Sequence, residues 1–308
     1  MSSYPQVTGP DTSSEPALGA LVAELRRRHH DAINAVLVYG SCLRSGNIYD
    51  GLLDLYLVCD DYTQAYGHGA LALANGLLPP NVFYAEQAHD GQVLRSKVTV
   101  ISLADFRRGC SRAWFQSYIW GRFSQPTRIA WSRDAASRAE VEECLLEAVR
   151  TLLLRTLPAL PPQGTLADLW EAALGLSYGT ELRTERSGRA RELVLAAGDF
   201  YEIVTRYHAD SLVFPFRVYD GAYASDIPQR LRTTSRWAWR LRVLQGKTLS
   251  VLRLVKALFT FEGGLDYIAW KLERHSGETI NIPDRVRRRP LIHMWGFFWG
   301  LYRRGIFK

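Results

Sequence analysis

The sequence predicts an α/β (α+β) fold. A mixed sheet with helices occupies residues 17–135, a helical domain 136–230 and a basic amphipathic region 231–308. Three observations predict this division. Up to about residue 135, apolar runs of strand length alternate with helical patterns. From there the apolar period becomes helical. From Arg230 onward 17 Lys and Arg stand against 5 Asp and Glu, whereas the chain before it carries 21 against 26.

The elements follow in order. Residues 1–16 are polar and rich in Ser, Thr and Pro, the composition of a flexible tail. "EPALGALVAELRRRHH" has helical spacing and a basic last turn. "AINAVLVYG" is a buried strand ending at Gly40. "LLDLYLVCDD" is apolar on both faces, which suits a central strand. "NVFYAEQ" and "SKVTVISLADF" are further strands, the second passing into a helix that Ser102 caps with Asp105 at the capping-box position. "ASRAEVEECLLEAVRTLLLRTLPAL" is a long amphipathic helix broken by "PPQG". "TLADLWEAALGLSYG" and "RARELVLAAGDFYEIVTRYHAD" are two more helices, and a loop rich in aromatics and Pro follows. "SRWAWRLRVLQGKTLSVLRLVKALF" is helical, basic and apolar together.

Composition excludes several classes. A basic start followed by an apolar run is missing, so no secretory signal is expected. No apolar stretch reaches the ~18 residues of a membrane span. Cys42, Cys59, Cys110 and Cys144 lack metal-ligand or disulfide-framework spacing, which predicts reduced thiols in a cytoplasmic protein. The basic C-terminal quarter calls for an anionic partner, a membrane surface or nucleic acid.

The stretch "VYGSCLRSGNIYDGLLDLYLVCDD" carries the chemistry. A Gly-Ser turn after a strand (Tyr39, Gly40, Ser41) offers N–H groups and a hydroxyl to phosphate oxygens. Asp54, at the start of the next strand, is placed to hold magnesium (Mg²⁺), with Asp60 and Asp61 at the strand's far end as further metal candidates. This order is that of the nucleotidyltransferase fold shared by polymerase-β-type enzymes. A strand turn with a Ser cap and a surface Asp reads equally well from the pattern alone. Nucleotidyltransferases usually carry two Asp at this strand start; Leu52 fills the first of those positions here. Lys97 is a compact cation for a triphosphate oxygen or a solvated strand-edge lysine. Arg122 and Arg183 are phosphate clamps or structural ion pairs. Ser177 and Tyr178 are ligand contacts or helix caps.

"YGS", "LLDLYLVCDD", "KVTVISLADF", "YIWGRFSQPTRI" and "LGLSYGTELR" occur in that order. Together they resemble the mitochondrial-type phosphatidate cytidylyltransferase family, the translocator assembly and maintenance proteins, over about residues 36–185. The resemblance implies that Tyr39, Gly40 and Ser41 match the family's YGS turn, Asp54 its unpartnered strand Asp, and Asp60 and Asp61 its VDD pair. Lys97 matches the Lys of its KYGVIS strand. Tyr118, Gly121, Arg122 and Pro126 match its YxAGRxxKP segment. Ser177, Tyr178 and Arg183 match GLSYxGDxR, with Glu181 in place of its Asp. The family's Trp-His-Asn segment is missing, Gln125 replaces a Lys and Trp120 an Ala, so the chain reads as a divergent member.

In "PLIHMWGFFWGLY", Trp295, Phe298, Trp299 and Tyr302 lie near one another on the helical wheel. Arg287, Arg288 and Arg289 precede them and Arg303 and Arg304 follow. Thirteen helical residues span ~20 Å, short of the ~30 Å hydrocarbon core. Aromatics flanked by arginine suit the headgroup boundary of an anionic membrane; a helix buried on the core gives the same stripe. The helix at 235–259 repeats the theme with Trp237, Leu241, Leu244, Leu252 and Val255.

The expected function is therefore transfer of CMP from CTP to phosphatidic acid, with Mg²⁺, giving CDP-diacylglycerol and pyrophosphate. The enzyme would lie peripherally on the inner face of the cell membrane, with Asp54 and Lys97 as the catalytic pair. Apolar bulk outweighs charge in the tail and no RNA-binding motif is present, so nucleic acid is disfavoured. The alternatives are nucleotidyl transfer to RNA or a small phosphorylated compound, and an inactive membrane-surface adaptor.

Overall fold

The computed structural model describes residues 15–49, 51–182, 188–260 and 280–288, with positions 273, 293, 296, 297, 299, 300 and 303. The apolar runs form the expected strands. β1 (Ile33–Tyr39) is buried along its whole length, and β2 (Leu53–Cys59) along all but one residue. Such burial needs cover on both faces of the sheet. On one face α1 (Pro16–Arg28) supplies Leu18, Leu21 and Leu25 to a core shared with Val36, Leu55 and Val98. On the other, α7 (Ala135–Thr156) supplies Leu145, Val149 and Leu152 to a core shared with Leu37, Tyr56 and Val58.

β3 (Asn81–His89), β4 (Gln92–Ser102) and β5 (Arg128–Ser132) complete a five-stranded sheet in the order β3-β4-β2-β1-β5. β2 is central, as its two apolar faces predict. β4 runs parallel to β2, and the other neighbouring pairs are antiparallel. Asp90 and Gly91, both at positive φ, close β3 and β4 into a hairpin with the twist of a type I′ turn. The Ser102 hydroxyl accepts the Asp105 N–H and caps α5 (Leu103–Cys110). The Asp105 carboxylate accepts the Tyr62 hydroxyl, so the second half of the capping box goes elsewhere.

The second region is not purely helical, which corrects the sequence reading. α8 (Leu166–Tyr178) forms as expected. The next helical run divides into α9 (Arg189–Ala196) and α10 (Phe200–His208), because Gly198 takes a positive φ between them. The aromatic loop holds β7 (Phe216–Tyr219) and β8 (Ala222–Ser225), a second hairpin closed by an Asp-Gly pair, Asp220 and Gly221. With β6 (Gln163–Thr165) they make a three-stranded sheet in the order β6-β8-β7. Trp170, Leu174, Tyr201 and Tyr223 belong to the same buried cluster as Tyr56, so one core runs from the sheet into this region.

α11 (Gln229–Thr260) has 32 residues and spans ~48 Å. Trp237, Leu241, Leu244, Leu252 and Val255 are exposed, in keeping with an outward apolar stripe. Of the interspersed cations, Arg236, Arg240 and Lys247 are exposed, with Arg240 4.7 Å from the Trp237 ring centroid, as the expectation has it. Arg242, Arg253 and Lys256 correct it: they turn inward and donate to groups of the protein. Of the C-terminal membrane candidates, Arg287, Trp299 and Arg303 are exposed. Arg288 lies in a short helix, Asp284–Arg288. Arg289, Trp295, Phe298 and Arg304 lie outside the described residues, as does Arg183. Among the described residues no helix is long and apolar enough to cross a membrane. All four cysteines are buried thiols.

Candidate active site

β1 ends at Tyr39, and the chain swings through Gly40 into α2 (Ser41–Ser45). Gly40 has φ +91°, open only to glycine at low cost. A Cβ here would stand 2.8 Å from Asp54 Oδ2, so the turn's backbone passes directly beside that carboxylate. Ser41 is exposed at the head of α2. The expected union of the Gly-Ser turn with the strand Asp is thus present.

Register then brings Lys97 in. Asp54 lies opposite Tyr39 on β1 and opposite Lys97 on β4. Paired residues point to one face, here the face of Tyr56 and α7. Lys97 Nζ stands 4.0 Å from Asp54 Oδ1, and both side chains are about one-third exposed or less, at 35% and 27%. At a half-open site such a contact is loose enough to yield to a phosphate oxygen.

Arg122 sits on α6 (Trp120–Phe123), whose four residues are all buried. Its guanidinium donates to the Tyr56 hydroxyl at 2.8 Å and pairs with Glu181 at 3.2 Å. It also covers the Tyr118 ring at 4.3 Å. Burial opposes its charge, but Tyr39, Tyr56, Tyr118 and Glu181 outweigh that and hold it cationic. Of the two roles left open by the sequence, the structure has the buried ion pair. Ser177 is buried too: a Cβ on Gly121 would lie 1.8 Å from its Oγ, so it locks α8 against α6 and offers nothing to a ligand. The Tyr178 hydroxyl donates to Gln125 Oε1 at 2.8 Å, which fastens the same two segments.

Asp60 and Asp61 are not brought to Asp54. Six strand residues at ~3.3 Å each separate Asp60 from Asp54 by ~20 Å. Asp60 accepts from Arg133 at 2.7 Å and from Asn34 at 2.8 Å, and the Arg133 contact in particular holds its carboxyl below the usual range. Asp61 caps the helix Tyr62–Tyr66, with Thr63 and the Gln64 N–H lowering its pKa. Their metal role is therefore corrected to a structural one.

The structure adds residues that the sequence reading did not assign to the site. Arg253 of α11 lies 4.1 Å from the Tyr118 ring centroid and donates to Gln116 and the Pro79 carbonyl. Lys256, one turn on, donates to the Leu78 and Pro80 carbonyls and Asn81. Burial first, then the Arg253 charge, pushes Lys256 down to about 8. Around the half-buried Tyr118 phenol, burial acts upward, but Arg122, Lys97 and Arg253 outweigh it and draw the phenol below its usual range. Three cations thus surround the Tyr118 phenol, and the named carboxylates beside them are Asp54 and Glu181. The signal was present in the sequence for Arg253: it shares with Arg242 a line on the side of the wheel turned away from Trp237, Leu241 and Leu244.

Magnesium fits this site in one form. A Mg²⁺ ion is commonly held by one or two carboxylates together with substrate phosphates. Asp54 provides such a carboxylate beside the glycine turn. Among the described residues no group of three or more His, Cys, Asp or Glu converges as a metal cage. A cavity of about 500 Å³ lined by Leu25, His29, Tyr66 and Phe83 lies on the α1 side of the sheet, away from Asp54.

No family model matches the chain, and no curated protein matches it. A solved nucleotidyltransferase-like protein from Exiguobacterium sibiricum is similar over 94% of this chain and 91% of its own, at 11% identity and a TM-score of 0.25. A likeness at that score carries no weight for mechanism, and the fold stands on the strand order described above.

Proposed function

We propose that the chain is a nucleotidyltransferase that moves CMP from CTP to the phosphate of phosphatidic acid at a membrane surface. The observation that carries the chemistry is the register that sets Asp54 beside the Gly40 turn and opposite Lys97. The cations Lys97 and Arg253 about the Tyr118 phenol support a polyanionic substrate. The five ordered motifs that resemble phosphatidate cytidylyltransferases support CTP and phosphatidic acid as the pair. The outward apolar stripe of α11 supports a lipid surface as the place of work.

The reaction forms a bond from an acceptor phosphate oxygen to the α-phosphorus of CTP and breaks the α–β anhydride, so pyrophosphate leaves. The acceptor is already anionic at neutral pH and needs no strong base. The residues act by positioning and charge. Turn N–H groups and the Ser41 hydroxyl orient phosphate oxygens. Lys97 stabilises charge growing on the leaving pyrophosphate, and Arg253 extends the cationic wall from α11. Arg122 fixes the Tyr56–Tyr118 floor. Asp54 would hold Mg²⁺, which neutralises phosphate charge when bound.

The test is purified protein with liposomes containing phosphatidic acid, Mg²⁺ and each labelled nucleoside triphosphate. CDP-diacylglycerol with CTP alone is the expected result. Asp54→Asn is expected to lower turnover at least ~100-fold, in line with loss of a group acting on transition-state charge, with unchanged thermal unfolding. Near-normal turnover in Asp54→Asn sinks the mechanism. Turnover only with a soluble acceptor sinks the lipid half, and no turnover with any acceptor favours the adaptor alternative.

A further inference from the structure

A second convergence of cations lies away from Asp54. Arg112 follows α5, Arg155 is in the last turn of α7, and Arg242 is in α11; all three line one cavity of about 160 Å³. Thr234 and Ser235 add hydroxyls to its wall, and Phe214 is among its apolar lining. Arg242 is only 2% exposed. Its Nε donates to the Phe115 carbonyl at 2.8 Å, and its plane lies over Phe115 and Trp239 at 4.4 and 4.8 Å. Its terminal nitrogens have no acceptor among the described residues. Arg155 donates one N–H to the Arg112 carbonyl at 2.7 Å, and its buried Nε has no partner.

No carboxylate pairs with any of the three among the described residues. Burial, and after it the Arg112 charge, works against the cationic form of Arg155. Burial, and after it the Arg155 charge, does the same for Arg242. Guanidinium groups driven together and partly desolvated without an anion are costly, and an anion that accepts from their forks relieves that cost. The space is well below the ~300 Å³ at which drug-sized sites begin. It suits one small anionic group and excludes a whole nucleotide. Arg242 and Arg253 are 11 residues apart on one helix, ~16 Å, so this cavity is separate from the site around Lys97.

We propose that Arg112, Arg155 and Arg242 form a phosphate-binding subsite, filled either by a free phosphate or phosphomonoester or by the phosphate of a lipid headgroup. Exposed Val213 and Leu231 line the mouth of the cavity, so a lipid phosphate could enter with its apolar part outside. This subsite does not depend on the chemistry proposed for Asp54.

Calorimetric titration with inorganic phosphate tests it on the full chain. Arg112→Gln, at an exposed position expected to fold normally, and Arg155→Gln should each weaken phosphate binding at least tenfold, while Lys247→Met, at an exposed cation elsewhere on α11, retains the site. Unchanged phosphate affinity in both arginine variants overturns the proposal, as does loss in Lys247→Met alone. Flotation with phosphatidylcholine vesicles, with and without phosphatidic acid, identifies the source. Binding to the anionic vesicles that phosphate competes away and that Arg112→Gln loses assigns a lipid phosphate. Equal vesicle binding by both proteins, with phosphate affinity lost in Arg112→Gln, assigns a soluble ligand.

Discussion

Glu181→Gln is the sharpest probe of how the cationic wall is held. Arg122 is 5% exposed and Glu181 12%, with the nearest N···O contact at 3.2 Å. Removing one partner of a buried pair costs about 3–5 kcal/mol, most of it from the charge left behind. Here part of that is offset. The Gln carbonyl can still accept, the Tyr56 hydroxyl stays at 2.8 Å, and the Tyr118 ring face is worth about 1 kcal/mol to a guanidinium. The expected loss is therefore about 2–3 kcal/mol. The same change removes a carboxylate from among Lys97, Arg122 and Arg253, so an added polyanion should stabilise the variant more than the parent. Urea unfolding followed by tryptophan fluorescence, without multivalent anions and then with pyrophosphate, reads both terms. A ligand at 100 times its Kd adds about 2.7 kcal/mol, so a larger increment in the variant reports tighter binding. The double variant Arg122→Met with Glu181→Leu should lie nearer the parent than either single change. A Glu181→Gln midpoint within about 1 kcal/mol of the parent refutes the buried-pair account. Equal pyrophosphate increments refute the cation surplus.

Two further outcomes follow from single positions. Gly40→Ala should cost about 2–3 kcal/mol from its φ of +91° and its contact with Asp54 Oδ2, and should lower CTP-dependent turnover by more than its stability loss explains. In an Asp54→Ala background the contact disappears and only the backbone cost remains, which unfolding measurements on the four proteins of the cycle check. His208 is 4% exposed, and burial, then the Arg150 charge, pushes it down to about 4. Its neutral form is favoured by the fold, so this contribution is whole above pH ~6.5, falls as pH drops and is lost by pH ~4. That amounts to about 3 kcal/mol at ~1.4 kcal/mol per pH unit. His208→Gln should flatten the stability profile across that window, and an unchanged slope between pH 7 and 4 would count against it.

The strands and most helices were legible because burial writes itself into period and composition. β1 and β2 read as buried strands from apolar runs broken by a single polar residue each, and Asp54 and Lys97 fall opposite each other on neighbouring strands. The second hairpin was not read, although Asp220-Gly221 is a strong turn signal, because its strands are short and lie among prolines and aromatics. Charge on α11 was legible only in part, for a different reason. A helical wheel shows which residues share a face but not what covers that face, and Arg242 and Arg253 find their partners in Phe115 and Gln116, far away in sequence. Asp60 and Asp61 were assigned by chemistry without distance: strand length alone separates them from Asp54. Arg122 shows the opposite limit, since only tertiary contacts decide between a clamp and an ion pair.

The Asp90-Gly91 turn acts as a ruler for the chemistry. It fixes how far β4 runs before Lys97 arrives, and β4 then sets that lysine against Asp54. Side chains alternate along a strand, so a slip of one residue would send Lys97 to the α1 face and carry Ser96 or Val98, neither of them cationic, into its place. The spacing between a tight turn and a lysine seven residues away, from Asp90 to Lys97, is therefore as much a functional specification as the lysine itself. An insertion in the turn that leaves every site residue untouched would still rewrite the site.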